Sequence, residues 1–163
     1  MKKIAILIGI FLCCSIVAKA QLDSFEKLTD MKGVTTVYIS KAMLGMMSDV
    51  DGSKMSMEGV DIGDVVKKLT SITVLTSENA DVAKAFKKVF AEVKSNKAFE
   101  PLMLTKSDES RTAIYAKEGN AKNNEESEIL VTIENDKDNR HVLVRLTGSM
   151  TLTDIQKIAT EKK

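Results

Sequence analysis

The spacing of apolar positions along this chain divides it into a helix-rich first part and a strand-rich second part. Leu22, Phe25 and Leu28 recur at helical spacing and predict a short helix before Gly33. The run Val34-Thr35-Thr36-Val37-Tyr38-Ile39 is rich in β-branched residues and predicts a strand. Ser40 is placed to cap a second helix, Lys41 to Ser48, which carries Met43, Leu44 and Met47 on one face. Asp49 to Val60 reads as a polar connection holding Gly52 and Gly59. A third helix is predicted from Asp61, because Asp61 and Asp64 complement the free N–H groups of a first turn. Its apolar positions, Ile62, Val65, Val66 and Leu69, fall on one helical face.

Ser71 to Thr76 predicts a second strand, and Ser77 a cap for the strongest helix, Glu78 to about Ser95. Val82, Phe86, Val89, Phe90 and Val93 make its apolar stripe, with Lys84, Lys87, Lys88 and Glu92 elsewhere on the wheel. Beyond Asn96 the period changes to two. Leu102 to Thr105 follows Pro101, which is compatible with an edge or a strand start, and Arg111 to Ala116 follows a polar turn. Ile129, Val131 and Ile133 alternate with other residues, as do Val142, Val144 and Leu146, on either side of the turn Asn135 to Asn139. Lys117 to Glu128 reads as a polar hairpin loop. Gly148 ends the last strand, and Thr151 with Asp154 resembles a capping box opening a C-terminal helix with Leu152, Ile155 and Ala159 inward. Consecutive strands late in a chain imply an antiparallel meander. The expected fold is therefore α+β, a single mixed or antiparallel sheet with amphipathic helices packed mainly on one face.

The first 20 residues change the picture. Lys2 and Lys3 precede the apolar run Ile4 to Val17, and Ala18-Lys19-Ala20 supplies small residues before Gln21. That is the layout of a cleaved secretory signal, and the run is short for a membrane span. The expected organisation is a signal over 1–20 and one α+β domain over 21–163, exported to the periplasm or associated with the envelope. Cys13 and Cys14 would leave with the signal. Leu12 before Cys13 does not suit a lipid acceptor site, so a lipid anchor is not expected. The remaining 143 residues carry no cysteine, which excludes disulfides, thiolate zinc sites and cysteine nucleophiles from the mature chain. Loss of Lys2, Lys3 and Lys19 leaves 21 Lys+Arg against 23 Asp+Glu, a net charge of −2. Both signs are interspersed and there is no tryptophan, so neither nucleic acid nor carbohydrate is an expected ligand.

Little catalytic chemistry is legible. His141 is the one histidine, in a predicted strand on the face opposite Val142, Val144 and Leu146, and reads as a half-exposed strand residue. Asp49-Val50-Asp51-Gly52-Ser53 resembles the opening of a calcium loop, but its twelfth position is Val60 where an EF-hand needs a glutamate. Glu125, Glu126 and Glu128 fall in the polar loop, where burial cannot raise a carboxylate pKa. No phosphate loop, nucleophile elbow or zinc-binding helix motif occurs. The one biased feature is methionine: Met43, Met46, Met47, Met55 and Met57 are five of nine within fifteen residues. Such residues pack cores, form adaptable surfaces for a partner, or hold soft Cu(I) through their thioethers.

Phe25 with Gly33-Val34-Thr35-Thr36-Val37-Tyr38-Ile39-Ser40-Lys41, Pro101-Leu102-Met103, Ile114-Tyr115-Ala116-Lys117-Glu118 and Val144-Arg145-Leu146-Thr147-Gly148 together resemble a small secreted family of Bacteroidetes, domain of unknown function 4252. The resemblance implies a Gram-negative envelope protein with no established activity, and it transfers no functional residues. The expected function is non-enzymatic and cofactor-free binding of an envelope protein, with the five methionines as the candidate surface. The alternative is a soft-metal, Cu(I)-binding or sensing module built on the same residues.

Overall fold

The computed structural model describes residues 23–51, 56–57, 60–61, 65–151 and 153–154. The expected signal segment 1–20, Leu22, Met55, Ile62 and the positions Leu152, Ile155 and Ala159 of the expected C-terminal helix lie outside the described residues.

Helix α1, Asp23–Thr29, leads through a turn at Gly33 into strand β1, Thr35–Ser40, and directly into helix α2, Lys41–Asp51. Gly33 adopts a positive φ of 89°, which a side chain would strain, and its carbonyl accepts a 2.6 Å bond from the Ser77 hydroxyl. A small antiparallel ladder joins β2, Ser56–Met57, to β3, Val60–Asp61. Strand β4 spans Leu69–Ser77 and helix α3 Ala80–Ser95. Four strands complete the described chain: β5 Glu100–Lys106, β6 Ser110–Lys117, β7 Ser127–Asn135 and β8 Arg140–Gly148.

Six strands form one antiparallel sheet in the order β1-β4-β8-β7-β6-β5. The α+β expectation and the late meander are therefore both borne out. Helix α3 carries the chain from β4 to β5 at the far edge, so β8 returns beside β4 and the sheet centre is built from distant segments.

Strand periodicity explains what each face buries. On one face, Leu75, Leu130, Leu143 and Tyr115 meet α1 and α3 through Phe25, Leu28, Phe86 and Val93. On the other, Ile72, Val131, Val144 and Leu146 meet Leu44 of α2, Val65, Val66 and Met150. The central strands are thus apolar on both sides. Burial pushes the Tyr115 phenol above its ordinary pKa, because the charged form would lose hydration.

Local expectations needed correction in four places. The helix predicted from Asp61 is absent among the described residues of that stretch: Val60–Asp61 is a strand, Val66–Lys68 a short 3-10 turn, and Leu69 opens β4. Val65, Val66 and Leu69 are apolar because they lie under one sheet face, not because they form a helical stripe. The cap of α3 is Asn79, whose Oδ1 accepts the Asp81 N–H at 2.9 Å, while Ser77 closes β4. Glu128 belongs to β7 and is part-buried, not a solvated loop residue. His141 is buried, not half-exposed, with its ring 5.6 Å from that of Phe86.

The predicted pairing of Thr151 with Asp154 is present. The Thr151 N–H and hydroxyl donate to Asp154 Oδ2 at 2.9 and 2.6 Å, and the Asp154 N–H returns a 3.3 Å bond to the Thr151 hydroxyl. Lys68 Nζ adds a 2.7 Å bond to Oδ1, tying this box to the 3-10 turn before β4. That ammonium, then the Thr151 donors, hold the carboxyl well below the ordinary carboxylate range. A folded pKa depressed in this way contributes stability that is present above the unfolded value of 3.8 and is lost as pH falls below it. Asp154→Asn is therefore expected to lower the urea midpoint at neutral pH, with the two proteins converging as pH approaches about 2. A constant gap across that range would show that the carboxylate charge is not what the site uses.

Candidate interaction surface

A sheet ends in two strands with one unpaired side each, and these edges are where chains add to one another. Among the described residues the edges are β1 and β5, and their chemistry differs. Strand β5 carries Pro101, which has no N–H, charged residues at both ends in Glu100 and Lys106, and a register shift between Pro101 and Met103. Those are three devices that discourage pairing. Strand β1 has none of them. Its six residues are uncharged and run in unbroken register against β4, from Thr35 opposite Thr76 to Ser40 opposite Ser71.

Alternation places Val37 and Ile39 on the α2 face, opposite Val74 and Ile72, and Thr36, Tyr38 and Ser40 on the α1 face. Val37 is 45% and Tyr38 65% exposed, which is high for apolar and aromatic residues in mid-strand. Helix α2 follows without a break and packs on β1 and β4 through Leu44. Its outer side shows Met43, 50% exposed, and Met46, 67% exposed, while Met47 is half-buried. Two of the five singled-out methionines are thus at the surface and one is partly core. Met57 lies in β2, its side chain outside the described residues, as is all of Met55.

The α1 face beside β1 holds a groove of about 310 Å³, lined by Glu26, Thr36, Tyr38, Thr73, Arg145 and Thr147 among others. Tyr38, Thr73 and Arg145 occupy one cross-strand row, each directly opposite the next. Arg145 is fixed there by three contacts. Its guanidinium lies 3.4 Å from Glu26, 3.3 Å from Glu128 and 5.1 Å from the centre of the Phe25 ring. Two carboxylates compensate its charge, so the groove offers hydroxyls more than a free cation. Near the groove floor, the Ser71 and Thr147 hydroxyls share a 2.6 Å bond. Among the described residues, no group of three or more His, Cys, Asp or Glu converges as a metal site, and no helix is long and apolar enough to cross a membrane.

Sequence reasoning found Met43 and Met46 but missed Val37, Tyr38, Glu26 and Arg145, and took the part-buried Glu128 for a solvated loop residue. The absence of charge from Thr35 to Ser40 was the available signal, but that this strand is an edge depends on pairing 30 to 110 residues away.

Among the described residues, these features define a two-face-covered antiparallel α+β domain with one guarded and one open edge. The chain belongs to the DUF4252 family, a domain of unknown function, whose family model matches residues 25–158. No curated protein matches it. Among solved structures, a mutant of the protein Mog1 is similar at 10% identity and a TM-score of 0.32, over 66% of this chain and 64% of that one. The Ran-binding protein Mog1p of Saccharomyces cerevisiae is similar at 9% identity and a TM-score of 0.31, over 68% and 70%. This chain thus spans under two thirds of the length of the first of them, and similarity at this level carries no functional inference.

Proposed function

We propose that the protein is exported, cut after residue 20, and acts in the periplasm or at the envelope as a non-enzymatic module that binds another protein. The observation that carries this reading is the contiguous run of β1 and α2, where Val37, Tyr38, Met43 and Met46 are all exposed on a neutral strand and the helix that follows it. Methionine is flexible and polarizable, so a surface built on it can adapt to a protein partner. Copper(I) binding through Met43, Met46 and Met47 gains no support from their surroundings, since two are exposed and one is half-buried.

The test is capture from detergent-solubilised envelope, using the natural chain beside a Met43→Gln/Met46→Gln variant. A partner held by the natural chain is expected to be lost by the variant, at an unchanged urea midpoint. Equal capture by both would remove α2 from the binding surface.

A further inference from the structure

We infer that the open β1 edge is a self-association site, where two copies of this chain pair antiparallel through β1 and fuse their sheets across a two-fold axis. The inference deepens the reading of the β1–α2 surface as an interaction surface, and rests on it.

Three observations select a second copy as the occupant. The first is closure. An open edge at both ends of a sheet would let copies add without limit, whereas β5 carries Pro101, terminal charges and an irregular register. Pairing of β1 with β5 of another copy is therefore disfavoured, and pairing of β1 with itself stops at two. The second is charge. Antiparallel self-pairing brings a strand opposite its own sequence, so any charge in it meets a like charge nearby; Thr35 to Ser40 contains none. The third is where the apolar exposure lies. A two-fold axis perpendicular to the sheet keeps each face on its own side, so directly opposed residues must share a face. For a six-residue strand with greatest overlap, that condition puts the axis at Val37 or at Tyr38. Those two are the exposed large hydrophobic residues of the strand. Pairing would cover both, align the Met43 and Met46 surfaces of the two copies on one side, and set the two grooves beside each other on the other.

Sedimentation equilibrium on the full chain, in whatever processed form the cell yields, tests this directly. Val37→Lys is the diagnostic variant, because an exposed position accepts a lysine in the monomer while self-pairing sets it against its own copy. The natural chain is expected to form a dimer, with association weakened at least about tenfold by Val37→Lys. Leu104→Lys, at an exposed site on β5, is expected to leave the dimer intact. Tyr38→Lys serves if the first variant fails to fold, and far-UV circular dichroism decides that. A monomer at all concentrations overturns the inference, as does a dimer indifferent to Val37→Lys and Tyr38→Lys, or one broken equally by Leu104→Lys. If the chain is monomeric yet Met43→Gln/Met46→Gln still abolishes partner capture, self-association fails alone and the interaction surface stands.

Discussion

Phe86→Ala is expected to remove about 3–5 kcal/mol of folding stability. Phe86 is fully buried in the middle of α3, where the helical stripe Val82, Phe86, Val89 and Val93 meets the sheet. Its ring makes an edge contact with Phe90 at 5.9 Å and a tilted one with His141 at 5.6 Å. Truncation loses the transfer energy of the ring and leaves a cavity between a helix and a sheet that are each held by other contacts. A domain of this size has only about 5–15 kcal/mol to lose. Urea unfolding should show the midpoint falling steeply with little change in slope. Phe86→Asp should be more destabilising still, because it would bury a carboxylate among the apolar side chains of this cluster in place of the ring. A loss below about 1 kcal/mol for Phe86→Ala would mean that α3 is not docked as described.

Gly148→Ala is expected to cost about 3 kcal/mol or more, although it adds a single methyl group. Gly148 closes β8 and is paired on both sides, with Leu69 of β4 and Ser127 of β7. A β-carbon there would collide with the Lys68 carbonyl oxygen and lie 2.7 Å from the Leu69 α-carbon. Both are backbone atoms, so no rotamer change relieves the contact. The Lys68 carbonyl also accepts the Ser149 N–H at 3.0 Å, and that bond should open. Hydrogen exchange at Ser149 should accelerate together with the fall in stability. The comparison that isolates the cause is Gly45→Ala in α2, where an added β-carbon would meet no atom of the described residues within 4 Å and helix propensity favours the change by up to about 1 kcal/mol. Equal effects at the two positions would show that close approach is not the reason for Gly148.

Elements whose signal is local were legible in advance. The stripe of α3, the alternation of β7 and β8, the edge character of the Pro101 strand and the pairing of Thr151 with Asp154 each depend on residues a few positions apart. Where reading failed, a tertiary contact had imitated a local pattern. Val65, Val66 and Leu69 satisfy helical spacing, yet they are a 3-10 turn entering a strand, because burial against Ile72 and Leu146 requires the same residues to be apolar. His141 was placed on the correct face but given the wrong exposure, since α3 covers that face and the alternation of β8 does not report what lies above it. Glu128 looked solvated because its neighbours are polar, whereas its partners Lys117 and Arg145 come from adjacent strands.

The candidate surface divides in the same way. Its ingredients, an uncharged β-branched run followed by a methionine-bearing helix, are plain in the sequence. Their exposure is not. Periodicity determines which side of an element is apolar and which residues share a face, because those follow from the geometry of a single helix or strand. Strand order, the open edge at β1, the groove over Arg145 and the need for a glycine at 148 were decided only when α3 carried the chain across the sheet and β8 returned to pair with β4. Such pairings join segments about 75 residues apart, and nothing in the spacing of either segment encodes its neighbour.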